Sequence, residues 1–132
     1  MQNLNITYNS DNHIVYITKE GRISLNEAIL VLNKLVEEYG KLETIYILED
    51  SRQSRLDISL LEVREFYREI RKNVTGRKEI RHADMVDTPF ETAMGVIFQQ
   101  MVAPLKGYDY RCFSTEEAAL AWLKKGTYYP KK

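Results

Sequence analysis

Residues 23–40, ISLNEAILVLNKLVEEYG, decide how the rest of the chain is to be read. Leu25, Ala28, Ile29, Leu32, Leu35, Val36 and Tyr39 recur every three or four positions, which puts them on one face of a helix. Ser24 is followed three residues later by Glu27, a reciprocal capping box, and Gly40 stands where a helix of this length stops. The segments on either side read as strands, so this is a strand–helix–strand unit.

Working outward, residues 4–8 (LNITY) and 14–18 (IVYIT) flank the turn-rich NSDN and predict a hairpin. Further strands are expected at 44–50 (TIYILED), 79–87 (EIRHADMVD) and 108–113 (YDYRCF). Three more helices open with the same Ser/Thr-x-x-Glu pattern. Ser59 with Glu62 precedes Leu60, Val63, Phe66, Tyr67, Ile70 and Val74 on one face. Thr88 with Glu91 precedes a helix with Pro89 at its first position, stopped near Pro104. Ser114 with Glu117 precedes an Ala-rich helix ending at Lys124, Lys125 and Gly126, cations at the negative end of its dipole. In that helix Ala118, Ala121, Trp122 and Leu123 are expected to face the sheet. The order is β-β-α-β-α-β-α-β-α: an α/β fold with a mixed, mostly parallel sheet packed with helices, in one domain spanning residues 1–132.

Composition narrows the functions. The net charge is zero, which argues against a nucleic-acid binder. The charge is uneven, however: residues 1–51 hold 4 Lys/Arg against 8 Asp/Glu, and residues 52–81 hold 9 against 5. The basic segment (Arg52, Arg55, Arg64, Arg68, Arg71, Lys72, Arg77, Lys78 and Arg81) reads as a solvated surface or as a docking patch for an acidic partner or anion. A single cysteine, Cys112, allows no internal disulfide, and no apolar run approaches the length of a membrane span. The expected location is the cytoplasm, without membrane insertion. The Asn5-Ile6-Thr7 and Asn73-Val74-Thr75 triplets are then chance matches to a glycosylation signal.

Ligands of open α/β sheets gather beyond the carboxyl ends of the strands. Here those ends supply Asp50, Ser51, Arg52 and Arg55, then Asp87 and Thr88, then Ser114. The arginines and helix N-termini offer an anion or partner contact, and Arg64, Arg68 and Arg71 extend it along one helical arc. No glycine-rich phosphate loop, metal-ligand cluster or nucleophile elbow is present in the sequence, so an enzyme is the least supported class and neither cofactor nor metal is expected. His82 and Asp84, two apart on one strand, should share a face as a hydrogen-bonded pair at a helix–sheet contact. Cys112 is expected to be a small buried residue.

The segments ITKEGRISLNEAILVLNKL (17–35) and YRCFSTEEAALAWL (110–123) resemble the start and end of a STAS domain (sulfate transporter and anti-sigma-factor antagonist), in its SpoIIAA-like branch. In the first, a strand runs through a glycine turn into a capped amphipathic helix. In the second, a short strand, a capped turn, an Ala-rich stretch and a Trp-Leu pair close the domain. The resemblance extends to element order along essentially the whole chain. It implies a non-catalytic regulatory module that works through contacts with an unidentified protein partner; separately, the Arg64, Arg68 and Arg71 arc reads as a contact for the acidic N-terminal part of a second copy of the chain. Switch-type members of that family carry a phosphorylated Ser or Thr in an Asp-Ser-Ser-Gly-like stretch at a helix N-terminus. Asp57 and Ser59 match it, with Ser59 as phosphoacceptor candidate, whereas Ile58 and Leu60 depart from it. The general fold also resembles CRAL-TRIO lipid carriers, which implies the alternative of a small-ligand or lipid carrier. A pocket lined by Phe66, Tyr67, Phe90, Met94 and Phe98 would favour the carrier, and a filled core the interaction module.

Overall fold

The computed structural model describes residues 3–74 and 79–128. Arg77, Lys78 and Thr75, the end of the second Asn-x-Thr triplet, lie outside them. The hairpin forms as its turn residues dictate: β1 (Asn3–Asn9) pairs antiparallel with β2 (Ile14–Ile23). The Asn9 side chain accepts from the Asp11 and Asn12 amides inside the loop. The chain then alternates through α1 (Leu25–Tyr39), β3 (Thr44–Asp50), a short β4 (Ser54–Leu56), α2 (Leu60–Val74), β5 (Glu79–Met85), α3 (Pro89–Val102), β6 (Tyr108–Phe113) and α4 (Glu116–Tyr128).

The main sheet runs β1-β2-β3-β5-β6, with β2, β3, β5 and β6 mutually parallel. Each crossover steps in the same direction across the sheet. Right-handed connections therefore lay α1, α2 and α3 on one face. Their inward residues (Val31, Leu32, Leu35, Val63, Ile70, Met94, Phe98) meet Val15, Ile17, Ile45, Ile47 and Ile80 of the strands. The remaining helix, α4, covers the opposite face, where Ala119 and Leu123 pack on Ile14, Leu48, Ala83 and Met85.

Three of the helix starts are as the sequence predicts. Ser24 and Ser59 exchange both capping-box bonds with Glu27 and Glu62, and Thr88 accepts from the Glu91 amide ahead of Pro89. The fourth differs by one residue. Thr115, not Ser114, caps α4 by accepting from the Ala118 amide, and the helix continues through Gly126 to Tyr128. Two adjacent hydroxyl residues compete for that role, and the sheet contact of Ala119 and Leu123 settles the phase. The inward face is accordingly Ala119 and Leu123, whereas Ala118 and Ala121 are exposed.

Trp122 lies half-buried at the edge of this layer. Its ring packs beneath the Arg81 guanidinium at 4.0 Å and beside Phe113 at 5.7 Å. Strand β4 is the element that the sequence reading lacks; three residues are too few for a periodic signal. It takes the place of β3 beside β2, whose pairing passes from β3 at residues 14–18 to β4 at residues 21–23. Gly21 makes the bend between them with φ +86°, a left-handed conformation in which a side chain would be strained.

Candidate functional site

On each parallel strand, alternate residues point at α1–α3. The first of these are apolar and the last are not: Val15 and Ile17 lead to Lys19, Ile45 and Ile47 to Glu49 and then Ser51, and Ile80 to His82 and Asp84. Strand register aligns Glu49 with Asp84 and His82 with Tyr110, so the polar ends of separate strands converge under the helices.

A continuous buried network results. The Lys19 ammonium donates to Glu49 Oε2 at 2.5 Å, and Glu49 Oε1 lies 2.6 Å from His82 Nε2. The other ring nitrogen, Nδ1, is 2.8 Å from the Tyr108 hydroxyl. With Nε2 as the donor to the Glu49 carboxylate, Nδ1 can accept from the Tyr108 hydroxyl. Beside this chain, Asp84 accepts from the Ser51 hydroxyl and from the Tyr110 hydroxyl, both at 2.6 Å. The Cys112 thiol in turn points at Tyr110 OH, 3.5 Å away. His82 and Asp84 do share a face, but they bond to different partners rather than to each other.

Burial decides the charge states. It opposes ionisation of Glu49, yet Lys19 and His82 outweigh it and hold the carboxyl well below the usual range. Burial likewise opposes the Lys19 ammonium, but Glu49 and then Asp84 raise its pKa on balance. Asp84 behaves in the opposite way. Desolvation, and then the neighbouring Glu49 carboxylate, push it up to about 6. Burial also holds Tyr110 well above the normal phenol value, so it stays a donor to Asp84. The Cys112 thiol is pushed up to about 11 by burial, which makes it a poor nucleophile.

Against this network lies a cavity of about 140 Å³. Its walls combine Phe66, Met94 and Phe98 from the helices with Lys19, Glu49, Asp84 and Tyr110 from the sheet. Tyr67 and Phe90 are not among its lining residues, and Phe90 is 53% exposed. Glu91, read from sequence only as a helix-start residue, is buried at this end of the cavity. One of its oxygens accepts from the Leu56 amide of β4, and the other bonds the Thr88 hydroxyl. Among the described residues, no group of three or more His, Cys, Asp or Glu is arranged to hold a metal ion.

The residues singled out from sequence fall mostly outside this site. Ser51 joins the network through Asp84. Asp50 and Arg52 lock each other in a two-pronged pair, with Nε to Oδ1 and Nη2 to Oδ2 both at 2.9 Å. Arg55 donates to the carbonyls of Arg52 and Ser54. Asp57 pairs with Arg22 at 3.3 Å on the surface, and Ser59 is an exposed helix cap. Arg64, Arg68 and Arg71 are exposed along α2. Lys19, Glu49, Tyr108, Tyr110 and Glu91 were missed as site residues. One signal for the first two was available: a charged residue two positions beyond the last apolar inward residue on successive strands.

The comparisons with known proteins address the fold. An uncharacterized protein of the DUF3478 family from Shewanella loihica PV-4, with a SpoIIAA-like fold, superposes with a TM-score of 0.61 over 92% of each chain. The fold is SpoIIAA-like. At 15% identity the likeness is one of architecture. No family profile and no curated protein matches the sequence. In this SpoIIAA-like chain, the network and cavity lie between the sheet and its three-helix face. Among the described residues, no helix is long and apolar enough to cross a membrane.

Proposed function

We propose that the protein is a non-catalytic binding module that holds a small organic ligand between its sheet and its helix layer. The observation that carries this reading is the cavity of about 140 Å³ with a largely apolar lining and a few converging polar groups. That combination characterises ligand sites, where apolar walls supply affinity and sparse polar groups supply orientation. The volume is close to that of engineered apolar cavities of about 150 Å³ that take up benzene. Reaction chemistry has less support. The Cys112 thiol is held protonated, and the hydroxyls of Ser51 and Tyr110 donate to Asp84, which leaves no activated nucleophile among them.

Mass spectrometry of natively purified protein, followed by solvent extraction, tests the proposal. The expected result is a retained small molecule, or saturable uptake of small aromatic probes that Met94→Trp abolishes without unfolding the chain. No retained molecule, together with no uptake of any probe, would overturn it.

A second reading, regulation through protein contacts, rests on a different observation. Leu60 and Leu61, beside the exposed Ser59, are 58% and 71% exposed, and Phe90 in the first turn of α3 is 53% exposed. These first turns lie at the same end of the fold as the polar network, at the carboxyl ends of β3 and β5. In this reading a protein partner or a second copy of the chain covers that end, with Ser59 as a modifiable cap. Anti-sigma-factor antagonism would be one form of it. Pull-down from native cells with wild-type protein and a Leu60→Asp/Leu61→Asp variant tests it; identical recovered partners would remove it.

A further inference from the structure

We propose that the ligand of this cavity is a small apolar amine, bound as its ammonium ion against Asp84 with its hydrocarbon body among Phe66, Met94 and Phe98. The inference rests on the ligand-binding reading above and adds the chemical class of the ligand.

The carboxylates of the site are not equivalent. Glu49 has its own cation, Lys19, at 2.5 Å, and a second donor in His82. Glu91 is occupied by the Leu56 amide and by the Thr88 hydroxyl at the positive end of α3. Asp84 is 9% exposed and receives only neutral O–H donors, from Ser51 and Tyr110. Among the described residues, no cation stands within ion-pair distance of it; the Lys19 ammonium, bonded to Glu49, acts on it only from farther off. Each of its oxygens uses one acceptor site in those bonds and retains another. A buried carboxylate without a cation is costly, and a ligand that brings one relieves that cost.

Other ligand charges fit less well. The Lys19 ammonium that could attract an anion is already neutralised by Glu49. A carboxylate ligand would also meet Asp84, Glu49 and Glu91 with nothing left to balance it. A neutral hydrocarbon would fill the apolar wall but leave Asp84 unchanged. The volume, about 140 Å³, fits a body the size of one aromatic ring, roughly six to eight non-hydrogen atoms.

The affinity should depend on pH in a defined direction. Asp84 must be ionised to hold an ammonium ion, and burial followed by the nearby Glu49 raises its pKa to about 6. The groups that face this region are Lys19 from β2, Glu49 and Ser51 from β3, His82 from β5, and Tyr108, Tyr110 and Cys112 from β6. From the helices, α3 adds Glu91 and α2 adds Asn73, while α1 contributes apolar residues. His82 lies beside Glu49 in the same network, so the test must separate its contribution from that of Asp84.

Calorimetry with benzylamine, toluene and benzoate at pH 8 and pH 5 provides the test. Benzylamine should bind at least about tenfold more tightly than toluene at pH 8, and benzoate should not bind. Benzylamine affinity should fall roughly tenfold by pH 5, where most Asp84 carboxyl is protonated while the amine keeps its charge. Asp84→Asn should bind toluene as wild type does, with the preference for benzylamine and its pH dependence gone. If that variant does not fold, His82→Gln serves instead and should keep both. Toluene binding without any preference for benzylamine would overturn the amine assignment and leave the ligand-binding reading intact. Binding of none of the three probes at either pH would overturn both.

Discussion

The two faces of the sheet are built from alternate residues of the same strands, yet they have different interiors. The face under α4 is sealed by Ala119 and Leu123, both 0% exposed, against Ala83 and Met85. The face under α1–α3 holds an ion pair, a histidine, two carboxylates and a cavity. A single helix with a small residue at its contact comes close enough to fill the centre of that face with apolar side chains, and charge is confined to the edge, where Arg81 covers Trp122. Three helices, each set by its own crossover, share the other face and leave a cavity between themselves and the sheet. Both faces carry apolar core, but the buried charged groups gather on the one under α1–α3.

The largest effect should come from exposing that chemistry. Lys19→Met leaves Glu49 buried without its cation, and should destabilise by about 3–5 kcal/mol in thermal or urea unfolding. The exposed pair Lys72–Glu69, at 3.3 Å, provides the contrast: Lys72→Met should cost less than about 1 kcal/mol. Equal losses in the two variants would mean that the face under α1–α3 is wetter than the geometry indicates.

On the opposite face, Leu123→Ala should cost about 2–5 kcal/mol, because a fully buried side chain is removed from a closed layer. Trp122→Ala should cost less despite the larger residue, since its ring lies half-buried beneath Arg81 at the layer's edge. The reverse order in chemical denaturation would place Trp122, not Leu123, at the centre of that contact.

Close approach is not confined to α4. A Cβ at Gly95 of α3 would stand 2.1 Å from Cys112 Sγ on β6. Gly95→Ala should therefore destabilise by about 1–3 kcal/mol, and Cys112→Ala in the same chain should restore most of the loss. Absence of rescue would show that α3 is held off the sheet by something other than this thiol.

Asp84 links the polar face to pH. Its folded pKa, about 6, lies above the ordinary aspartate value of 3.8, so the native state holds the proton more tightly than the unfolded state. The associated stabilisation is full below about pH 4 and is lost as pH rises through about 6. Asp84→Asn lacks this loss. Its stability relative to wild type should rise by on the order of 2 kcal/mol between pH 4 and pH 7 in parallel urea titrations. A constant difference across that range would indicate that Asp84 is solvated.

The smallest effect belongs to the surface. Ser59→Ala should lose about 1 kcal/mol of stability with its capping bond to the Glu62 amide, while Ser59→Asn and Ser59→Asp should keep it. If Asp but not Asn alters partner recovery, the added charge acts as a switch; equal recovery restricts Ser59 to capping.

What the sequence determined by itself is what depends on neighbours a few residues apart. The boxes Ser24–Glu27 and Ser59–Glu62, the Thr88–Pro89 start and the NSDN hairpin close their hydrogen bonds within five residues, so their residue types suffice. Element order and the alternation of inward residues followed from the same local periodicities. Tertiary structure decided what depends on register. Lys19, Glu49, His82 and Tyr108 come from separate strands and meet only because parallel pairing sets inward positions of neighbouring strands side by side, Glu49 diagonal to His82 and His82 diagonal to Tyr108. It also chose Thr115 over Ser114, because the contact of Ala119 and Leu123 with the sheet sets the phase of α4. In the same way it gave Lys19 to Glu49 rather than to Asp84, since a charge's partner is set by distances across the fold, which residue spacing does not specify.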